Sequence, residues 1–485
     1  MMLSLIDRTD ANWDLQNYHL YDPWALLHAR LGLDYYAAGY QSYFNPLADL
    51  PYFILKCVIA PAWPRLVALL AGIPYGIMIF LVLGLSSRFV RGRKMIFIAA
   101  LLGLTGTTTL SEIGTSYDDI LVTDFLLAAM VCLLQEGTYP ALAAGLLAGI
   151  GIALKLTAGV FALPLALYLM ALPPPPAVRV SRLVAFTLAG AGGFLIAYGW
   201  WGWRLWQHFG DPFYPMFGSL FPSPWAMPIT GQDTRFFPKT TLQWLAYPFF
   251  WLQGKPFIVA ELKMRDPRFA LAYLAIAGVL GTAARRRLPS RETLALWLFI
   301  VSGYLIWLWG FSIIRYALPI EVLSGVFIAT VLQSSWPERR MEVPLALLTV
   351  FCLAFSKPMG WGRIGYGKTL ISAPVPSMPE GTLLLVKGVP LGFVLPYLSP
   401  APSHIVALDF LHPGSPEWAA LQAMLQQQRP VWLLTNAHLS PSGTITDLAP
   451  FGLRPALRAC QPVHTAVQKA IELCPLIQPT AAKPS

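Results

Sequence analysis

Charged residues are scarce in this sequence. Only 12% of the 485 residues are Asp, Glu, Lys or Arg, whereas 56% are hydrophobic. Soluble globular domains carry roughly 25% charged residues, so the composition excludes an ordinary soluble domain and predicts a polytopic membrane protein. The formal net charge of +10 would suit a nucleic-acid-binding protein, but the basic residues cluster between apolar runs, as cytoplasmic stops do. We therefore expect no nucleic-acid partner.

Cysteine is also scarce, with five residues. Cys57, Cys132 and Cys352 lie in or beside apolar runs and are expected to be small buried hydrophobes. Cys460 and Cys474 lie in the polar tail, where they would form a disulfide if the tail is outside the cytosol. No signal peptide is visible, because the first apolar stretch is short and acidic residues follow it.

Apolar runs predict the membrane-embedded body. Ten of them occur, at 66–87, 95–111, 119–134, 140–154, 157–172, 183–203, 269–284, 293–311, 316–333 and 343–355. Several are shorter than the roughly 20 residues of a comfortable span. We expect some to be tilted or re-entrant, above all the two that flank Lys155.

Lys and Arg clusters set the predicted orientation, because cytoplasmic loops are enriched in them. The basic loops placed in the cytoplasm are Arg88–Lys94, Arg179–Arg182 and Arg285–Arg291. If every intervening run crosses, the segments outside are residues 1–65, 111–118, 204–268 and the tail after 356.

The tail alternates short strand-like runs with one helical segment. The strand-like runs are Thr382–Val386, Ile405–Leu408 and Val431–Leu434, and the helical segment is Pro416–Gln428. No Gly-rich phosphate loop, zinc-ligand spacing or nucleophile elbow occurs there, so we assign the tail no chemistry. The predicted fold is an all-α polytopic membrane protein with about ten membrane helices, followed by a small extracytoplasmic α/β domain. Its three regions are residues 1–65, 66–356 with the outer loop 204–268, and 357–485.

Acidic residues are concentrated among aromatic residues at the N-terminal end. Six of the 24 acidic residues lie in the first 50 positions, namely Asp7, Asp10, Asp14, Asp22, Asp34 and Asp49. Asp14, His19 and Asp22 are the candidate functional residues of this segment. The simpler alternatives are that His19 is a hydrogen-bonded interface residue and that Asp14 or Asp22 caps a helix or forms a turn, since Asp22 precedes Pro23 as an N-cap would.

A second polar group is Ser116-Tyr117-Asp118-Asp119, with Asp124 further into the following apolar run. Asp118 or Asp119 would either carry chemistry or cap that helix. A carboxylate at the depth of Asp124 is costly and therefore rarely idle. Lys155, in Lys155-Leu156-Thr157, would either hold a phosphate or snorkel to the membrane surface.

Another candidate is Arg315-Tyr316, at an outer turn and followed by Glu321. Arg315 would bind phosphate oxygens through its planar fork of donors, or pair with Glu321 or Asp124 to hold helices together. Asp266 and Arg268 predict a local turn pair, which is a structural role.

Acids together with a guanidinium and an ammonium at an outer membrane face suit one reaction particularly well. A carboxylate takes the proton of an acceptor hydroxyl while cations stabilise the charge that gathers on a lipid-phosphate leaving group. This is the transfer of a sugar from a lipid phosphate. A low local dielectric strengthens both effects.

At these residues the chain resembles the GT-C superfamily of integral-membrane glycosyltransferases. The resemblance covers residues 1–356 and rests on architecture and on short motifs, namely Asn12-Trp13-Asp14, Asn17-Tyr18-His19, Lys155-Leu156-Thr157, Gly210-Asp211-Pro212 and Arg315-Tyr316. It implies an inverting transferase of the bacterial inner membrane that uses a polyprenyl-phosphate sugar and a lipid-linked or envelope glycan acceptor on the periplasmic side.

The resemblance also implies roles for individual residues. Asp14 would be the general base, and Asp118 or Asp119 would position the acceptor or bind a divalent cation, the one possible cofactor. Arg315 and Lys155 would form the phosphate clamp. His19, Asp22 and Tyr316 would contact substrate.

One feature departs from the GT-C pattern, in which a membrane helix precedes the acidic first loop. This sequence begins without such a helix. We expect a start codon further upstream, and the alternative is an N-terminus that is translocated without an anchor. Two alternative functions remain open. A transporter or lipid-glycan flippase would line its path with Asp124, Lys155 and Glu321, although we find no convincing inverted repeat. A non-catalytic envelope scaffold would depend on its tail.

Overall fold

The chain folds into two compact units. One contains Met1–Asp7, Leu69–Trp200 and Gln232–Trp361, and the other contains Arg8–Ala68, Trp201–Gly231 and Gly362–Ser485. The computed structural model describes residues 2–477 except 174, 227–232, 285–288, 336–339, 367, 428, 437–445 and 469, and not the side chains of 278–284 and 335. The predicted basic cluster Arg285, Arg286 and Arg287 therefore lies outside the described residues.

Helices dominate the structure, which is 61% helical. Among the described residues, four helices are long and apolar enough to cross a membrane, namely Pro64–Phe89, Pro176–Phe209, Arg291–Gly310 and Ile314–Ser334. Shorter helices are Arg93–Leu104, Thr107–Glu112, Asp119–Leu133, Thr138–Leu154, Leu156–Ala171, Thr241–Trp251, Arg268–Ala284 and Glu342–Phe355. Each of the ten predicted apolar runs is thus helical, and the run 95–111 is divided into the two helices Arg93–Leu104 and Thr107–Glu112. The helical polytopic character is confirmed, and the number of about ten spans stays a prediction.

The loop after the first long helix contacts the ends of later helices in the first unit. Arg88 forms an ion pair with Glu292, and the Lys94 ammonium lies 3.5 Å from a Glu342 carboxylate oxygen. The Arg91 peptide N–H donates to the side-chain oxygen of Gln333 at 3.0 Å. The loop after the first long helix therefore lies beside the N-terminal ends of two later helices and the C-terminal end of a third.

Glycines allow close approach of the helices Thr138–Leu154 and Pro176–Phe194. A Cβ added at Gly149 would lie 2.0 Å from the Gly190 carbonyl oxygen, and one added at Gly145 would lie 2.1 Å from the Phe186 carbonyl oxygen. Small residues four apart form such contacts in membranes, where van der Waals packing holds helices together. This pair is therefore a closely packed part of the first unit.

A mixed sheet forms the centre of the tail. Its strands run in the order His404–Ala407, Leu383–Lys387, Val431–Asn436, Ile471–Ile477 and Arg454–Pro455, and Gln461–Val463 also pairs with Ile471–Ile477. The first three strands are parallel. Leu383–Val386 is buried without alternation, as expected when both faces of a parallel sheet are covered.

The predicted elements of the tail are confirmed. The helix Pro416–Leu425 begins after Ser415, whose hydroxyl accepts a hydrogen bond from the Trp418 peptide N–H at 3.2 Å. Cys460 and Cys474 form a disulfide, as predicted conditionally. Ile471–Ile477 was not predicted from the sequence.

N-terminal residues pack in the same unit as the tail. Thr9–Asp10 pairs antiparallel with Arg363–Ile364, and the Tyr35 peptide N–H donates to the Ile405 carbonyl at 2.8 Å. A short strand Ala37–Tyr40 and the helices Tyr21–Leu27 and Leu50–Ile59 complete the segment. The residues predicted as a first loop are therefore ordered against the α/β domain.

Candidate functional site

In the first unit, the candidate site begins at the start of the helix Asp119–Leu133. Asp118 occupies its N-cap position, but the Asp118 side chain makes no capping hydrogen bond. Asp119 lies in the first turn and is buried, at 5% exposure. Asp118 therefore lies at the position of a helix cap, as the capping alternative predicted, but its side chain does not form the capping hydrogen bond.

Lys155 brings an ammonium group to Asp119. Lys155 has an extended backbone between the helices Thr138–Leu154 and Leu156–Ala171, so its side chain leaves the helical path there. Its Nζ lies 2.7 Å from Asp119 Oδ1, and its side chain is only 16% exposed. The snorkelling alternative is wrong, because the ammonium is neutralised inside the protein rather than by water.

Arg315 brings a guanidinium to the other oxygen of the same carboxylate. Arg315 Nη1 lies 3.6 Å from Asp119 Oδ2. The guanidinium also lies over the Tyr117 ring, 4.3 Å from its centroid, and 5.6 Å from the centroid of Trp361. Aromatic faces attract such a cation. Asp119 is thus flanked by two cations that are distant from each other in sequence, Lys155 and Arg315. The aromatic rings orient Arg315.

The predicted alternative partners of Arg315 are wrong. Glu321 instead accepts hydrogen bonds from the peptide N–H groups of Thr108 and Thr109, at 3.0 and 2.8 Å. Asp124 is buried, and neither of its carboxyl oxygens has a hydrogen-bond partner among the described residues. The structural reason is that the first helical turn at Thr107–Glu112 offers Glu321 several buried donors.

Asp266 and Arg268 form the predicted structural pair. The guanidinium Nη1 lies 3.0 Å from both carboxylate oxygens, and both side chains are fully buried. Arg268 also donates to the Leu102 carbonyl at 2.6 Å, while Asp266 accepts from the Thr107 hydroxyl at 2.9 Å. These contacts join helices and leave the pair outside the pocket described next.

A pocket of about 240 Å³ contains the three charged groups of this cluster. Its lining is Asp119, Val122, Thr123, Leu126, Lys155, Thr157, Ala158, Phe161, Arg315, Tyr316 and Pro319. Lys155 Nζ lies 5.4 Å from the centroid of the Tyr316 ring. The predicted residues Asp119, Lys155, Arg315 and Tyr316 therefore come together, with two cations for one carboxylate.

Glu112 was missed by the sequence analysis. It is 1% exposed, and neither carboxyl oxygen has a hydrogen-bond partner in the described part of the chain. Burial and the charge of Asp119 raise the pKa of Glu112 well above its ordinary value. When Glu112 is protonated it does not offset the positive charge of Lys155 and Arg315, which Asp119 balances only in part. The only sequence signal was an acid at the end of the apolar run 95–111.

In the second unit, a π-helical turn over Leu15–His19 buries several polar side chains. Insertions of this type are frequent at functional sites. His19 Nδ1 bonds to the carboxylate of Asp49, and both residues are buried. His19 is therefore hydrogen-bonded, as the simpler alternative held, and Asp49 is a partner that the sequence analysis did not assign.

Asp22 is buried without a hydrogen bond. Its helix begins at Tyr21 and has Leu20 at the N-cap, so the predicted capping role of Asp22 is wrong. Both carboxyl oxygens lack a partner among the described residues, and the side chain is 3% exposed. Burial and the nearby Asp49 carboxylate raise the pKa of Asp22 well above its ordinary value.

Asp14 is buried, at 8% exposure, and its Oδ2 accepts a hydrogen bond from the Tyr18 hydroxyl at 3.3 Å. It lines neither the pocket at Asp119 nor the pocket at Asp22 described below. The contacts of Asp14 within the second unit therefore neither support nor contradict its predicted role as the general base.

The chain was compared with protein-family models, curated proteins and solved structures, and none of them matches it.

Proposed function

We propose that this protein is a GT-C-type membrane glycosyltransferase. It transfers a sugar from a polyprenyl-phosphate donor to a lipid-linked or cell-envelope acceptor. The observation that carries the proposal is the pair of cations, half-buried Lys155 and buried Arg315, held on either side of Asp119 in one pocket. Two preorganised cations facing a shielded pocket are what a departing phosphate requires.

Lys155 and Arg315 bind the donor phosphate. Arg315 supplies planar, directional donors and Lys155 a compact charge. Asp119 is a positioning residue, because its carboxylate fixes both cations before the substrate enters. The same two cations disfavour a divalent ion at Asp119, since like charges repel strongly in a shielded site.

The reaction is a single displacement. The acceptor oxygen attacks the anomeric carbon while the bond from that carbon to the phosphate oxygen breaks. The electron pair leaves on the phosphate, whose charge Lys155 and Arg315 stabilise. Asp14 takes the proton of the acceptor hydroxyl. The configuration at the anomeric carbon inverts.

The proposed location is a bacterial inner membrane, crossed about ten times, with residues 1–65 and the tail on the periplasmic side. Two observations support this orientation. The Cys460–Cys474 disulfide is typical of an oxidising compartment. Arg315 and Gln333 lie near opposite ends of the helix Ile314–Ser334, so the cation pocket is remote from the group of contacts made by Arg88, Arg91 and Lys94.

The test is transfer by the purified protein in lipid nanodiscs, with a panel of polyprenyl-phosphate pentoses and hexoses. We expect Arg315→Ala and Lys155→Met to lower turnover by about 100-fold or more, the usual effect of removing one charge-stabilising group. The matched controls are Arg91→Ala and Lys94→Met, which remove exposed cations.

The same transfer assay tests the role of Asp14 separately. Asp14→Asn keeps the shape of the side chain and removes the base, so we expect turnover to fall by about 100-fold or more. Full turnover by Asp14→Asn would show that the base lies elsewhere. Normal turnover by the two cation variants would overturn the clamp.

A transporter or lipid-glycan flippase is the second candidate. The observation that favours it is Asp124, a buried carboxyl group within a helix that has no hydrogen-bond partner among the described residues. Liposomes distinguish the two functions. Movement of a labelled lipid-linked glycan without covalent product, abolished by Asp124→Asn, would favour transport over transfer.

A further inference from the structure

A second pocket lies wholly within the second unit. It has a volume of about 420 Å³, and its lining is Tyr21, Asp22, Ala25, Leu26, Ala29, Arg30, Leu31, Asp34, Ser42, Tyr43, Trp201 and Arg204. The lining combines aromatic and aliphatic side chains with four charged residues and Ser42.

Most polar groups of this pocket are satisfied by the protein itself. The Arg30 guanidinium donates to Asp34 Oδ2 at 2.9 Å and to the Pro402 carbonyl at 2.9 Å. Asp34 also accepts from the Tyr21 hydroxyl at 2.9 Å. Arg30 and Asp34 therefore form a neutral, rigid wall and offer little to a ligand.

The aromatic residues are likewise committed through their polar atoms. The Trp201 indole N–H donates to the Tyr43 carbonyl at 2.9 Å. The Tyr43 hydroxyl accepts from the Tyr36 peptide N–H at 3.2 Å. What Trp201 and Tyr43 contribute to the pocket is therefore mainly apolar ring surface.

Asp22 is the exception. Its carboxyl group lines the pocket, is 3% exposed and makes no hydrogen bond to any described residue. A buried polar group without a partner costs roughly 1–3 kcal/mol. Because it lines the pocket, this carboxyl group is available to form hydrogen bonds with a molecule that enters it.

The chemistry of the lining narrows the class of ligand. A wholly apolar ligand would leave Asp22 unpaired. A hard divalent cation needs about six oxygen ligands, whereas Asp34 is already held by Arg30. An isolated phosphate would face the Asp22 carboxyl with the exposed Arg204 as the remaining cation. A ligand with several hydroxyl groups and an apolar C–H face avoids all three problems. Its hydroxyl groups pair with Asp22, it does not require six oxygen ligands, and it brings no negative charge to the Asp22 carboxyl.

We propose that this pocket binds a sugar ring, with hydroxyl groups hydrogen-bonded to Asp22 and the C–H face packed on Trp201 and Tyr43. The site deepens the proposed transferase, and its role in the reaction rests on that function. The ring belongs either to the donor or to the acceptor glycan, which share this chemistry. Asp22 is a binding residue here and takes no part in bond making.

The test is direct binding of methyl glycosides of pentoses, hexoses and N-acetylaminohexoses, measured by saturation-transfer NMR on the whole protein. Nanodiscs free of glycoside detergents are required, because such detergents carry the proposed ligand. We expect at least one glycoside to bind, and Asp22→Leu to weaken it by about tenfold or more, the loss of about one hydrogen bond. Trp201→Leu should weaken binding similarly.

Trp203→Leu is the matched control, since Trp203 is on the same helix but 61% exposed and outside the pocket lining. Asp22→Asn, which keeps hydrogen-bonding atoms, should retain more affinity than Asp22→Leu and guards against a simple loss of folding. In the transfer assay, a raised KM for donor or for acceptor in Asp22→Leu tells which ring the pocket holds.

The two proposals fail separately. Binding of glycosides without turnover of any polyprenyl-phosphate sugar would uphold the pocket and overturn the transferase. Turnover with no glycoside binding, or with binding and both KM values unchanged in Asp22→Leu and Trp201→Leu, would overturn the pocket alone.

Discussion

Buried carboxyl groups of this chain fall into two kinds. Glu321 and Asp266 each accept several hydrogen bonds and join helices. Asp22 and Glu112 are as deeply buried but have no hydrogen-bond partner among the described residues. Both kinds cost free energy to desolvate, but only the first recovers it within the protein. The first kind should therefore govern stability, and the second should be linked to ligands.

Substitution of Glu321 tests the first kind. Its carboxylate accepts from the Thr108 and Thr109 peptide N–H groups and from the Thr109 hydroxyl, the last at 2.6 Å. We expect Glu321→Ala to destabilise the protein by about 3–5 kcal/mol, because each buried donor left unpaired costs roughly 1–3 kcal/mol. Glu321→Gln keeps an acceptor oxygen and should lose less. Thermal unfolding in nanodiscs measures both.

Glu292→Ala is the control for Glu321. The partner of Glu292, Arg88, is 51% exposed, and exposed ion pairs contribute only about 0–1 kcal/mol. An equal loss of stability in Glu292→Ala and Glu321→Ala would contradict the distinction between the two kinds of carboxyl group.

Asp22→Asn tests the second kind, the buried carboxyl groups without a hydrogen-bond partner among the described residues. The test is how the stability of the protein depends on pH. The pKa of Asp22 is raised in the folded protein above its ordinary value of 3.8. As the pH rises past that ordinary value, the unfolded chain ionises first, so Asp22 increasingly favours unfolding. Asn carries no such proton. We therefore expect the Tm difference, Asp22→Asn minus unsubstituted protein, to increase from pH 5 to pH 7.

Every other residue is the same in the two proteins, so the Tm difference reports the substitution at Asp22. A Tm difference that stays constant across this pH range would mean that Asp22 ionises as easily in the folded protein as in the unfolded chain.

Helix packing offers a test at the scale of elements. Gly149→Ala would place a Cβ 2.0 Å from the Gly190 carbonyl oxygen, whereas Gly192, on the facing helix, has open space around an added Cβ. We expect Gly149→Ala to separate the helices and cost about 1–3 kcal/mol or more. Gly192→Ala should be neutral or stabilise by up to about 1 kcal/mol through helix propensity. Equal Tm values for the two variants would exclude the close packing.

Elements of this fold were predictable where hydrophobicity carries the signal. All ten apolar runs are helical, and three tail strands and their helix lie within a few residues of the predicted positions. The strand Ile471–Ile477 was missed because Pro475 and Cys474 interrupt its pattern. Its pairing depends on Val431–Asn436, which is distant in sequence.

Site residues were predictable by type and less so by partner. Asp119, Lys155 and Arg315 were all predicted, because charge is rare among apolar runs. Their pairing was not, because it depends on which side chain is already occupied. Glu321 is held by the Thr108 and Thr109 peptide N–H groups, a contact that no local pattern signals. Both cations pair with Asp119 instead.

At the scale of the molecule, loop contacts constrain the number of crossings. Arg88 is paired with Glu292, although about 200 residues of chain separate them, and Lys94 is near Glu342. If only the four longest helices crossed, the loops at Arg88 and Glu292 would lie on opposite sides of the membrane. Their ion pair excludes that arrangement for a chain in which these helices span the bilayer. The pairing is compatible with about ten crossings.

Cysteine accessibility provides the corresponding experiment. Arg91, Arg291 and Glu380 are exposed, and each is replaced by Cys in a protein whose Cys57, Cys132 and Cys352 are Ala. Ten crossings place Arg91→Cys and Arg291→Cys in the cytoplasm and Glu380→Cys outside. In right-side-out vesicles, a membrane-impermeant maleimide should therefore label only Glu380→Cys, and detergent should expose the other two.

Four crossings predict a different pattern, because Arg91 and the tail would still lie on opposite sides while Arg291 would lie with the tail. Labelling of Arg291→Cys in sealed vesicles would thus reject ten crossings. Protection of Glu380→Cys would place the α/β domain in the cytoplasm. That result would contradict the periplasmic side proposed for the tail, and with it the periplasmic acceptor proposed for the transferase.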